Sequence, residues 1–113
     1  MWKIFEHKRV DKALASAPVE VLQRYEKWKD IVNISGPQGL KLIRGFHDEA
    51  LSGNWKGFRS SRLNFQYRVI YKVQKDQVLV EVERVTPHDY DPILARQHGV
   101  RALGADGLHP AVS

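Results

Sequence analysis

The chain has 113 residues, no cysteine and a formal charge of +5 at pH 7. That length supports one core and not two, and 42% hydrophobic with 27% charged residues is the composition of a folded domain. Zero cysteines exclude a disulfide framework and any thiolate metal site. No apolar run approaches the ~18 residues of a membrane span. Met1–Phe5 is too short an apolar stretch before Glu6 and Lys8 to act as a signal peptide. The expected compartment is therefore the cytoplasm, with no membrane association, and the basic balance favours acidic partners such as nucleic acid or an acidic protein.

In chain order, Trp2–Phe5 reads as a short strand, with Trp2 and Ile4 on one face and Phe5 on the other. A helical segment follows over Val10–Ala15. Ser16-Ala17-Pro18 interrupts it, Ser16 as a cap and Pro18 in the first turn of a second helix. There Val21, Leu22, Tyr25, Trp28 and Val32 form an i, i+3/i+4 stripe, which should end near Asn33 because Ser35-Gly36-Pro37 breaks a helix. Gly39–Ser52 reads as a loop entering a short turn. From Gly57 the period becomes two, giving strands over Gly57–Leu63, Tyr67–Val73 and Val78–Val85. Connections this short make the strands antiparallel. Phe65 and Tyr71 are expected in the core. The predicted fold is α+β: an N-terminal strand, two helices, then a three-stranded antiparallel meander, with the helices on one face and Arg68 on the other. Residues 1–90 form the domain, and the Gly- and Pro-containing stretch 91–113 is a weakly structured C-terminal extension.

One stretch stands out by its charge. Ala50–Lys75 holds Lys56, Arg59, Arg62, Arg68, Lys72 and Lys75, and none of the chain's thirteen acids. A charge run taken alone is a solvated sheet face. Here the cations fall on strands, among Trp55, Phe58, Phe65 and Tyr67, a mixture that suits phosphates and unstacked bases of single-stranded RNA. Soon after comes Thr86-Pro87-His88-Asp89-Tyr90. A histidine beside a basic patch can serve as a general acid whose charged form bound phosphate favours, while Asp89 reads as a turn residue. Just upstream, His47-Asp48-Glu49 is the one acidic cluster near the block. A carboxylate there can be a general base for a ribose 2′-OH or simply a loop charge. No metal-ligand spacing, P-loop, GxGxxG or GxSxG is present, so neither metal nor cofactor is expected.

The string Leu51-Ser52-Gly53-Asn54-Trp55-Lys56-Gly57-Phe58-Arg59-Ser60-Ser61-Arg62-Leu63, then Tyr67-Arg68-Val69-Ile70-Tyr71 and His88-Asp89-Tyr90, resembles the RelE/ParE toxin superfamily. Within it the resemblance is to the mRNA interferase branch of type II toxin–antitoxin systems that contains YoeB, YafQ and HigB. The resemblance implies a ribosome-dependent endoribonuclease that cuts mRNA in the ribosomal A site, on the small subunit, without a metal. It implies Glu49 as general base with His47 as a substitute. Arg68 would stabilise the transition state, His88 act as general acid and Tyr90 orient the substrate. Arg62 is implied as a further phosphate-facing arginine and Lys56 as a weaker match, and both belong with Arg59 and Lys72 to the RNA-binding set read from the basic block. It also implies a cognate antitoxin. Asp89 separates His88 from Tyr90, whereas the branch has the two adjacent. A ParE-like inhibitor of DNA gyrase, or an inactive RNA-binding relative, would share the fold without needing the acid–base set.

Overall fold

A computed structural model of the chain describes residues 1–87. His88, Tyr90 and the expected extension over 91–113 lie outside the described residues. The elements run β1 (Lys3–Glu6), α1 (Lys8–Ala15), α2 (Val19–Ser35), α3 (Pro37–Lys41), β2 (Glu49–Ala50), β3 (Arg59–Arg62), β4 (Tyr67–Gln74) and β5 (Leu79–Pro87). Short 3₁₀ turns over Arg44–Phe46, Gly53–Trp55 and Lys75–Gln77 link them. The α+β class and the order of strand, helices and meander agree with expectation. Among the described residues no helix is long and apolar enough to cross a membrane.

The helix α2 forms the middle of the core because its sequence repeats apolar residues once per turn. Val21, Tyr25, Trp28 and Val32 are all fully buried. Trp28 stacks beside Tyr25 at 5.7 Å between ring centroids and meets Tyr71 of β4 edge-on at 5.3 Å, within the range where aromatic pairs add to area burial. The Tyr25 hydroxyl is not orphaned, since it donates to Glu6 Oε2 at 2.5 Å. Burial first, and the Glu6 carboxylate second, push this phenol far above its ordinary value.

Several boundaries move from expectation for local reasons. The helix runs on to Ser35, and Gly36 ends it at φ +78°, where a Cβ would lie 2.5 Å from the Trp2 indole nitrogen. A glycine is needed there for both conformation and space. Pro37 does not merely break the helix: it opens α3 at its first position, so the expected loop over Gly39–Ser52 contains a helical turn, a 3₁₀ turn and a two-residue strand. Ser16 caps nothing at the start of α2. It ends α1 instead, and Pro18 holds the cap position. Phe65 is not core but 78% exposed. It sits in the β3–β4 turn, where the Asn64 side-chain oxygen accepts the backbone N–H groups of Gln66 and Tyr67 at 2.8 and 2.7 Å.

The sheet has five strands in the order β1-β5-β4-β3-β2. The meander strands are antiparallel, and β1 adds to β5 in parallel, with Lys3 opposite Leu79 and Glu6 opposite Val82. A register shift at Ile70/Tyr71 puts Ile70 opposite Arg84 and Tyr71 opposite Val82, which leaves Glu83 as the extra residue of a bulge. The bulge lets Val82 and Val85, three apart, both join the core. Val69, Tyr71, Val80 and Val82 face the helices with Trp28, Phe46 and Leu40. The other sheet face carries Glu49 of β2, Ser60 and Arg62 of β3, and Arg68 and Lys72 of β4.

Candidate functional site

Strand alternation sorts the basic block into two faces. On β4, Val69, Tyr71 and Val73 pack toward the core, so Arg68, Ile70 and Lys72 point to the second face. On β3, Arg62 is in register with Arg68 and Ser60 with Ile70. On β2, Glu49 is in register with Ser60. On β5, Thr86 lies opposite Arg68, and Arg84 lies opposite Ile70. Residues from four strands therefore meet around Arg68, although Glu49 and Thr86 are far apart in the chain.

Arg68 forms the floor of this site. It is 7% exposed, its Nη1 donates to Ser60 Oγ at 3.0 Å, and the same nitrogen lies 3.5 Å from Glu49 Oε2. The Glu49 side chain forms the rim at 47% exposed. This second face is less bare than two helices on one side would leave it, since Ser60, Arg68, Ile70 and Thr86 are all buried. Arg62 stands directly across from Arg68. Like charges in opposed cross-strand positions oppose folding, so this register is one that an anion between them would stabilise. Nearby, Arg84 is held below its ordinary basicity, first by burial and then by the Arg9 guanidinium. Arg9 in turn is bonded to the bulge residue Glu83, which His7 approaches at 3.2 Å.

Glu49 is aimed by a residue that sequence reasoning passed over. Asp48, its neighbour, turns to the opposite side, and its carboxylate is fully buried. Three side chains donate to it. Oδ1 accepts from Arg59 Nε at 2.8 Å and lies 2.7 Å from Nη2 of the same guanidinium, and Oδ2 accepts from the Ser61 hydroxyl at 2.6 Å and the Tyr71 hydroxyl at 2.5 Å. The Trp28 indole N–H donates to the same Ser61 oxygen at 2.9 Å. Burial first, then Asp48, pushes the Tyr71 phenol far up, so it stays a proton donor. Asp48 also holds the Arg59 guanidinium more basic than usual against the opposing effect of its burial. This network ties β2 to β3, β4 and α2. The clue in the sequence was alternation: once a strand begins at Glu49, Asp48 and Glu49 take opposite faces.

The remaining predicted residues divide. Lys72 lies on the Arg68 face with its Nζ 5.5 Å from the centre of the Phe58 ring. Lys56 is exposed in the turn before β3. Arg59 departs from the expected phosphate-binding set, because it points to the helix side, binds Asp48 and lines a cleft of about 490 Å³ with Trp2, Pro37, Lys41 and Val73. His47 is exposed and holds a left-handed φ of +43° after the 3₁₀ turn, a conformation in which histidine is enriched among non-glycine residues. That backbone directs the chain from the turn into Asp48 and Glu49. No metal-binding group of three or more His, Cys, Asp or Glu occurs among the described residues.

No family model and no curated protein matches the sequence. Solved structures do. The chain is similar to RelE in the RelE–RelB complex of Pyrococcus horikoshii, with 27% identity, a TM-score of 0.61, and 77% of this chain and 94% of that one covered. It shares its fold with YafQ from E. coli, at a TM-score of 0.63 and 21% identity over 79% of this chain and 96% of that one. It also shares the fold of the toxin in the YoeB–YefM complex of Staphylococcus aureus, at a TM-score of 0.58 and 16% identity over 76% and 95%. Each match takes in nearly all of the known toxin and leaves about a fifth of this chain outside. On element order and fold, and with 27% identity across almost the whole of RelE, the chain has the fold of the RelE-type toxins and is similar to them.

Proposed function

We propose that the chain is the toxin of a toxin–antitoxin pair and an endoribonuclease that cuts mRNA on the ribosome without a metal. The observation that supports this most is the pairing of an exposed carboxylate with a buried guanidinium: Glu49 Oε2 lies 3.5 Å from Arg68 Nη1, with Arg62 in register beside them. In the proposed reaction Glu49 takes the proton of a ribose 2′-OH, and that oxygen attacks the adjacent phosphorus. The P–O5′ bond breaks, leaving a 2′,3′-cyclic phosphate and a 5′-OH. Arg68 and Arg62 offset the charge that grows on the non-bridging oxygens. His88 is assigned the proton that the leaving O5′ needs, Tyr90 the orientation of the substrate, and His47 the role of alternative base.

The partner proposed for this basic surface is an acidic or amphipathic antitoxin, as RelB and YefM accompany the similar toxins. Such a partner would keep the cationic face from the ribosome. The test is to induce the chain in bacteria and map new RNA ends on a translated message and on the same message without a start codon. Cuts confined to the translated copy are expected. Equal cutting of both copies contradicts the ribosome requirement, and intact RNA with gyrase-linked DNA breaks supports the non-nuclease alternative.

A further inference from the structure

Next to the Glu49–Arg68 site lies an aromatic pair that the proposed chemistry does not use. The 3₁₀ turn Gly53–Trp55 presents Trp55, and its ring meets Phe58 edge-on at 5.1 Å with planes at 78°. Neither ring belongs to the core cluster or packs against it. Phe58 precedes β3, and its carbonyl accepts the Leu51 N–H at 2.9 Å, so the backbone pairing continues one residue beyond the strand. By alternation with Arg59, its side chain shares the face of Ser60 and Arg62. Lys72 of β4 reaches the same ring. Gly57, at φ +96° and with open space around it, makes the reversal that brings Trp55 back beside Phe58. Lys56 is exposed between the two aromatics.

We propose that Trp55, Phe58, Lys56 and Lys72 form a subsite that takes one unstacked base of a single-stranded RNA together with its phosphate. It lies about 13 Å along β3 from Arg62, four residues at the usual strand rise. Aromatic planes flanked by cations hold single strands because every base offers a π-face and every linkage a negative charge. Ala50–Lys75 holds no acid, and Glu81, which lies opposite Lys72 on β5, is engaged by Gln74 at 2.9 Å and approached by His7 at 3.5 Å. The Trp55 ring serves as the platform, and Lys72, already over Phe58, meets the phosphate. A strand seated there is anchored a few nucleotides from the bond that Glu49 and Arg68 address. This subsite rests on the RNA-cleaving reading above.

The test is an abasic scan. The full-length chain is titrated into short fluorescent single-stranded RNAs that each lack one base, and binding is compared with the intact strand for the wild type, Trp55→Ala and Trp55→Phe. One position is expected to weaken wild-type binding about tenfold, the size of a lost base–aromatic stack. Trp55→Ala is expected to lose about as much on the intact strand and to be indifferent at that position alone. Trp55→Phe keeps the ring and most of the binding. A flat scan with tight wild-type binding overturns the subsite and leaves the nuclease reading standing. Absence of RNA binding by the folded wild type also overturns the subsite, while the nuclease reading is decided separately by the cuts mapped on the translated message. Because the scan on the wild type needs no substitution, a variant that fails to fold does not rescue the proposal.

Discussion

Replacing Arg68 with alanine is expected to lower RNA cleavage about 10²–10³-fold, the usual loss when one donor to a developing oxyanion is removed. The guanidinium sits under Glu49 and beside Ser60 and Arg62, so it is the charge best placed to meet a phosphate attacked by the 2′-oxygen that Glu49 deprotonates. The fold should survive. Arg68 lies on the sheet face away from Trp28 and Tyr71, and among its contacts the variant gives up the hydrogen bond to Ser60, worth about 1 kcal/mol, and the ion pair with half-exposed Glu49. It also removes the like-charge opposition to Arg62. Arg68→Lys should restore only part of the rate, because a single ammonium cannot reproduce the planar fork. The measurements are the initial cleavage rate and growth arrest on induction, with circular dichroism as the control for folding. Full toxicity of the alanine variant would show that Arg68 is not the residue that meets the transition-state charge.

The second large effect is expected away from the reacting atoms. Asp48→Asn keeps the shape of the side chain but gives it an amide NH₂ facing donors, since the Arg59, Ser61 and Tyr71 side chains all donate to the carboxylate. Breaking a buried charge pair costs about 3–5 kcal/mol. The Arg59 side chain is 24% exposed and can recover some hydration, so the low end, about 3 kcal/mol, is expected here. For a domain of this size that lowers Tm by about 12–24 °C. Thermal melts of the purified chain measure it. Activity should fall further than stability alone explains, because Glu49 loses the neighbour that fixes its strand. Cleavage assayed well below the new Tm separates the two effects. On a Glu49→Ala background the added loss of rate from Asp48→Asn should vanish if Asp48 acts through Glu49.

These expectations depend on features that were unequally legible in the sequence. The stripe Val21, Tyr25, Trp28, Val32 declared α2, and the period-two runs declared β4 and β5, because burial on one face leaves a strong periodic trace. The edge strand β2 left no trace, because two residues have no period. β3 was legible as a strand over Gly57–Leu63, but it is the shorter Arg-Ser-Ser-Arg with both serines fully buried. The hydrogen bonds of Ser61 to Asp48 and Trp28, and of Ser60 to Arg68, replace the apolar packing that a pattern search looks for. The bulge at Glu83 had one signal, the phase slip from Val82 to Val85. Parallel pairing of β1 with β5 had none, since nothing local records which edge a first strand will join. Of the site, the grouping of Arg62 with Arg68 was implied by the family resemblance, and strand alternation gives the orientation of Arg59 once its register is known. The acceptance by Asp48 from Arg59, Ser61 and Tyr71 depends on contacts from β3 and β4, with Trp28 of α2 bonded to Ser61, that only the folded chain brings together.

The central claim is that the face built on Glu49 and Arg68 cuts RNA through its own 2′-OH. It is tested most directly by the chemistry of the ends. RNA recovered after induction, or after reaction with purified chain and translating ribosomes, should carry a 2′,3′-cyclic phosphate upstream of each cut and a 5′-OH downstream. A single 2′-deoxy substitution at the cut site should abolish that cut. Fragments with a 5′-phosphate and 3′-OH, or undiminished cutting at the deoxy position, would contradict the account.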